Sequence, residues 1–172
     1  TFRVWPDAEA LDIAQPDVSR AGGISECFRI GELAATFGAG VATHSWSDAI
    51  AIMGNAHLVA ALPNGITVEV DRSGNPLVDE LLVEPIQVKD GYLRLSNAPG
   101  LGIEVNQTVV DQLRLPAGSP VPDGCFSDMF FGKGKVTLSS IPSSSRTRRT
   151  PMSCRRRITS CTTTSGAEVP AV

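Results

Sequence analysis

No apolar run in this chain reaches the roughly 18–20 residues that a helical membrane span needs. Aromatic residues make up only 5%. The four cysteines, Cys27, Cys125, Cys154 and Cys161, form no CxxC pair and have no histidine at zinc-finger spacing, which argues against a structural zinc site. A set of reduced thiols fits this pattern, so the expected compartment is the cytoplasm. The opening, TFRVWPDAEALD, has no basic region followed by an apolar core and does not read as a secretory signal. It also lacks an initiator methionine, which fits a record that begins inside a longer chain.

What is present is the material of one soluble domain. A length of 172 residues with 42% apolar content is enough to bury a real core. The net charge of −3 hides a split. From Lys133 onward there are eight Lys or Arg and one acid, Glu168, a balance of +7, so residues 1–132 carry −10. The two parts are chemically different.

Alternating strand and helix patterns run through the first part. ALDIAQP, residues 10–16, reads as a short buried strand ending at Pro16-Asp17. From Ile24 to Phe37, residues Ile24, Cys27, Phe28, Ile30, Leu33, Ala34 and Phe37 fall near one helical face, and Gly38 and Gly40 close the helix. Gly40 to His44 is a second strand. Asp48 to Leu62 is a second, Ala-rich helix ended by Pro63-Asn64-Gly65, and Ile66 to Val70 a third strand. This alternation predicts parallel βα units. The pattern then changes to extended segments at Leu81–Ile86 and Gly91–Leu95 around the turn Lys89-Asp90-Gly91. Pro99-Gly100-Leu101-Gly102 forms a further turn, and Asn106 stands as the cap of a short helix to Leu113. Beyond about Gly132 bulky apolar residues almost vanish, and disorder is expected.

Three acid–base residues stand at the ends of the three strands: Asp17 in QPDVSRAGG, His44 in VATHSW and Glu69 in NGITVEVD. In a β/α barrel that rim is where chemistry happens. Taken singly, Asp17 reads as a turn or cap residue and His44 as structural. The interval of 27 residues between them is one βα repeat. With these residues, the stretch from Ala10 to Glu104, including the late NAPGLGIEV phrase, resembles the C-terminal barrel segment of the enolase superfamily, in its mandelate racemase/muconate lactonizing enzyme family. The implied fold class is α/β: the last units of a TIM-type barrel over residues 1–97, a C-terminal return segment over 98–132, and a disordered Ser/Thr/Arg-rich tail over 133–172.

The resemblance implies His44 as a general base, Asp17 as its partner and Glu69 as a hydrogen-bonding group, with Arg20 and Trp46 facing the substrate. It implies Mg2+ as cofactor and removal of the proton α to a carboxylate. A histidine whose charge changes near neutrality suits that task. If a hydroxyl then leaves from the β-carbon, the enzyme is a sugar-acid dehydratase. If a ring oxygen leaves, it is a cycloisomerase acting on a sugar-acid lactone or anhydro sugar acid. The family's metal ligands sit on earlier strands, which would lie before Thr1. The chain is therefore expected to be a fragment that alone binds magnesium weakly and turns nothing over, its longer parent a homo-oligomer.

Other polar residues take plainer readings. His57 lies mid-helix and reads as structural; Asp79, Glu80 and Glu84 read as solvated loop acids. Arg146, Arg148, Arg149 and Arg155–Arg157 invite a nucleic-acid reading of a non-catalytic fragment. They lack aromatic interleaving and a folded frame, so an unselected tail is the favoured reading.

Overall fold

The apolar runs do form strands, laid side by side in one direction. In the computed structural model, which describes residues 11–117 and 166–172, β1 (Ile13–Ala14), β2 (Gly40–Thr43) and β3 (Gly65–Val68) make a parallel sheet in the order β1-β2-β3. Ile13 pairs with Gly40 and Ala14 with Val41. Helix α1 (Ile24–Thr36) joins the first two strands, and α2 (Ala49–Ala61) the second and third. The expected first strand shrinks to Ile13–Ala14. Pro16 has no N–H to offer a neighbour, which limits pairing at that end.

The helix boundaries follow local chemistry. Asp48 lies just outside α2 as its cap, its carboxylate accepting from Ala51 N at 2.9 Å. After α1 the chain turns through Phe37 to Gly38, which has a φ of 72°. The pairing of β2 with β3 slips once, Val41 facing Gly65 and Ala42 facing Thr67, so Ile66 is the extra residue of a bulge.

The helices cover one face of the sheet. Ala14, Val41 and Val68 point to it and are at most 1% exposed, while Ile13, on the other face, is 43% exposed. Helix α2 is buried nearly all round, from Ala49 to Val59. It belongs to two cores. Leu58 packs with Ala14, Cys27, Ile30 and Val41, and Ile52, Ala56 and Val59 pack with Val68, Val70, Leu93 and Val169. A helix apolar on every side is what such a shared position requires.

The second of those cores is closed by a small antiparallel sheet. Strands β4 (Val88–Lys89) and β5 (Tyr92–Arg94) form a hairpin through Asp90 and Gly91, whose φ angles of 52° and 79° suit a two-residue turn. The Leu81–Ile86 segment is not a strand of this hairpin: it makes one bridge, Leu82 to Val105, with Leu81 and Leu82 buried. Between it and β3 lies an unexpected short helix, α3 (Pro76–Asp79), started by Pro76 and capped by Asn75. Asp79, Glu80 and Glu84 are exposed. Helix α4 (Gln107–Leu113) has the expected cap: Asn106 Oδ1 accepts from Thr108 N at 3.1 Å.

The end of the chain departs from the expectation of a disordered tail. Glu168–Pro170 forms β6, antiparallel to β5, with Leu93 facing Val169. Val169 is 1% exposed, and Arg94 meets Glu168 at 2.9 Å. The same segment lines the outer edge of β3: Val70 N donates to Val172 O at 2.7 Å, and Val172 N to Val68 O at 3.1 Å. One buried valine and a row of backbone bonds are enough to order these residues. Residues 118–165, which hold the arginine cluster, lie outside the described residues. The described chain to Leu113, with the residues from Gly166, forms one unit; Arg114 opens a second.

Candidate active site

Asp17 follows β1 on the turn that leads to α1 and is 4% exposed. A buried carboxylate must be satisfied to remain ionised. Its Oδ1 accepts from Ser19 N at 2.9 Å, Ser19 Oγ at 2.7 Å and Asn55 Nδ2 at 3.4 Å. Its Oδ2 faces His44 Nδ1 at 3.0 Å and Arg20 Nε at 3.7 Å. Burial pushes the pKa up, but the bonds from the Ser19 hydroxyl, His44, the Ser19 amide and Asn55 outweigh it. The group titrates below its ordinary value.

His44 follows β2 directly. An ionised carboxylate can only accept, so the proton of this pair sits on His44 Nδ1. The lone pair is then on Nε2, the far side of the ring. The His44 side chain is 41% exposed, so the ring is not sealed in the core. The arrangement is an imidazole oriented by a fixed anion.

Glu69 follows β3 directly and reaches back to β2, its Oε2 accepting from Ser45 N at 2.7 Å. It is thereby tied to the amide one residue beyond His44. Arg20 lies against Asp17 with its side chain 59% exposed. Trp46 is 49% exposed and is engaged with Asp71, on the loop after β3. Burial pushes Asp71 up, and hydrogen bonds from Ser73, Asn75 and Trp46 more than offset it, so its pKa is lowered. Asn75 Nδ2 also donates to Ser47 O at 3.0 Å, joining the same two loops. Of the residues singled out from sequence, Asp17, His44 and Arg20 meet directly, Glu69 joins through a backbone amide, and Trp46 borders the β3 loop.

Three contributors escape a reading of the sequence. Ser19 and the Ser45 amide are ordinary loop groups until the fold turns them toward a carboxylate. Asn55 lies on α2, completely buried, and accepts from Val18 N at 3.1 Å while donating to His44 O at 3.1 Å and to Asp17. Its only signal is an amide inside the apolar run AIAIMGNAHLVAA. His57, two residues on, pairs through Nε2 with Leu101 O at 3.2 Å, joining α2 to the Pro99–Gly102 turn in the structural role expected of it. Cys27 is a buried free thiol, pushed up to about 11 by burial and by the nearby Asp17 and Glu26 carboxylates, and is therefore no nucleophile.

Among the described residues no three His, Cys, Asp or Glu side chains come close enough to hold a metal ion. Both Asp17 oxygens bond Ser19, Asn55 and His44, and Glu69 Oε2 accepts from Ser45 N. The described site does not fit the ion, and no step below passes through one. Among the described residues no helix is long and apolar enough to cross a membrane.

Comparison with known proteins identifies the family of this segment. The family described as enolase C-terminal domain-like matches residues 1–109. A D-galactarolactone cycloisomerase of Agrobacterium fabrum is 34% identical over 67% of this chain and 33% of its own length. An arabinonate dehydratase of Saccharolobus solfataricus is 35% identical over 61% of this chain and 28% of its own. The crystal structure of the 3,6-anhydro-D-galactonate cycloisomerase of Zobellia galactanivorans superposes with a TM-score of 0.59 at 38% identity, covering 64% of this chain and 31% of that one. The chain thus spans about a third of the length of the relatives it matches. Its parallel βα units are the C-terminal part of a TIM-type barrel, and it belongs to the mandelate racemase/muconate lactonizing enzyme family of the enolase superfamily.

Proposed function

We propose that this chain carries the proton-transfer half of a sugar-acid dehydratase site. The observation that supports it most is the 3.0 Å pair between His44 Nδ1 and Asp17 Oδ2, which leaves the lone pair on Nε2 of a partly exposed ring. In this reading Nε2 takes the proton from the carbon α to the substrate carboxylate. The electron pair of that C–H bond is first held in the enediolate of the substrate. It forms the α,β C=C bond as the Cβ–O bond breaks, the hydroxyl receiving the proton that His44 holds and leaving as water. The enol formed at the α-carbon tautomerises to a 2-keto-3-deoxy acid. Asp17, held as an anion, favours the imidazolium between these two steps.

Arg20 and Trp46 would face the substrate carboxylate and hydroxyls, and Glu69 would hydrogen-bond the reacting region. The magnesium of the family belongs to this reading only through residues other than those described. The chain alone is expected to be inactive, and its active form to be a cytoplasmic homo-oligomer.

A cycloisomerase is the second reading. It is favoured by the Agrobacterium and Zobellia relatives, whose names describe acid-sugar cycloisomerases. The two readings share His44 and differ in the leaving oxygen. A screen of sugar acids, lactones and anhydro sugar acids with the longest polypeptide carrying this segment separates them. A keto-acid product that has lost water supports dehydration, and an isomeric product supports the second reading. Turnover of neither class by that polypeptide would contradict both.

A further inference from the structure

One fully buried polar group in the site, with three hydrogen bonds, is left unused by the reaction above. We infer that Asn55 is a positioning residue, which fixes Asp17 and the end of β2 relative to each other so that His44 presents Nε2. The inference rests on the His44–Asp17 reading and extends it to a residue on the covering helix.

Geometry carries the inference. Asn55 is 0% exposed, and a buried amide without partners is costly. Here three of its hydrogen-bonding capacities reach two different strand ends. Its Oδ1 takes Val18 N, on the turn after β1. Its Nδ2 donates to His44 O, on the rim after β2, and to Asp17 Oδ1. One side chain therefore spans the gap between the base and its orienting acid. It acts through their backbone and through the carboxylate, and does not touch the imidazole.

The remaining bonds do not duplicate this. The Ser19 bonds to Asp17 come from the same turn and move with it. Direct backbone pairing between the two rims is limited to His44 N donating to Pro16 O at 3.2 Å. Arg20 is exposed and 3.7 Å from Asp17, too loose to set an angle. Glu69 holds Ser45 and does not reach Asp17's turn through any bond described above. A purely apolar residue at 55 would fill the same space between the cores while leaving Val18 N and His44 O unpaired.

Two substitutions separate positioning from packing. Asn55→Leu keeps the bulk and removes every bond. Asn55→Asp keeps the acceptor for Val18 N but loses both donors. The reading is nitrogen NMR of the His44 ring in the full 172-residue chain, which needs no substrate. In the unaltered chain the neutral ring is expected as the Nδ1–H tautomer. In Asn55→Leu the ratio of Nδ1–H to Nε2–H should fall about fivefold, equivalent to about 1 kcal/mol, one neutral hydrogen bond. Asn55→Asp should lose the tautomer preference as well.

A ring in the Nε2–H form in the unaltered chain would overturn the His44–Asp17 reading, and the inference with it. A firm Nδ1–H preference unchanged in both variants would overturn only the role of Asn55. If neither variant folds, the Asn55 side-chain amide of the unaltered chain decides. Slow exchange of its protons with solvent supports the inference, and exchange as fast as that of an exposed asparagine overturns it.

Discussion

Asp17 shows how much of the site lies in the state of one group. Its pKa in the folded chain is below the ordinary value of 3.8. For a carboxyl depressed by folding, the added stability is fully present above that ordinary value. It is lost as pH falls through the lower folded value. Asp17→Asn should remove this component and leave the pH dependence that Asp71, shifted the same way, contributes. At pH 7 the substitution should also cost about 1–3 kcal/mol, since the new amide presents a donor or a misplaced acceptor to Ser19. Denaturant unfolding at pH 7 and pH 3 checks both; an acid limb as steep as that of the unaltered chain would contradict the assignment. Asp17, His44 and Glu69 were legible because each ends an apolar run, and because the first two stand one βα repeat apart. Asn55 was not legible. Its importance lies in two strand ends that are distant in sequence, 37 and 11 residues away, and an amide on a helix carries no spacing that announces such partners.

At the scale of elements, helices α1 and α2 were readable to within a residue or two, since apolar spacing and end signals agreed. Gly38 ends the first, and Asp48 caps the second. The strands were readable in place but not in length, because pairing, not hydrophobicity, decides which residues count as strand. The junction between α2 and β3 is the tightest of these elements. A Cβ on Gly65 would strike the carbonyl oxygen of Val59, in the last turn of α2, and that of Leu62. Neither is a side chain able to move aside. Gly65→Ala should therefore destabilise the chain by about 1–3 kcal/mol through forced backbone shifts. Thermal unfolding measures this, and an unchanged midpoint would mean that the turn into β3 is looser than described. The short helix α3 escaped the sequence reading because four residues started by a proline carry no periodicity.

At the scale of the molecule, the last residues have a part that composition hid. They follow a Ser/Thr/Arg-rich stretch, yet Val169 completes the core around Leu93, and Val172 closes the edge of β3. Removing residues 166–172 should uncover Val68, Leu93 and a free strand edge, lowering stability and promoting association. Light scattering alongside denaturant unfolding tests this; a truncated chain with unchanged association and unchanged stability would contradict it. Over its described residues this segment brings an imidazole oriented by a carboxylate and no group of three His, Cys, Asp or Glu able to hold a metal ion. The central claim of the proposed function is that His44 is the general base. The direct measurement follows α-proton exchange of a sugar acid in heavy water, using the longest polypeptide that carries this segment, with and without His44→Asn. The account predicts exchange in the unaltered enzyme and a loss of about 10²-fold or more in the variant. Exchange persisting in the variant at the unaltered rate would contradict it.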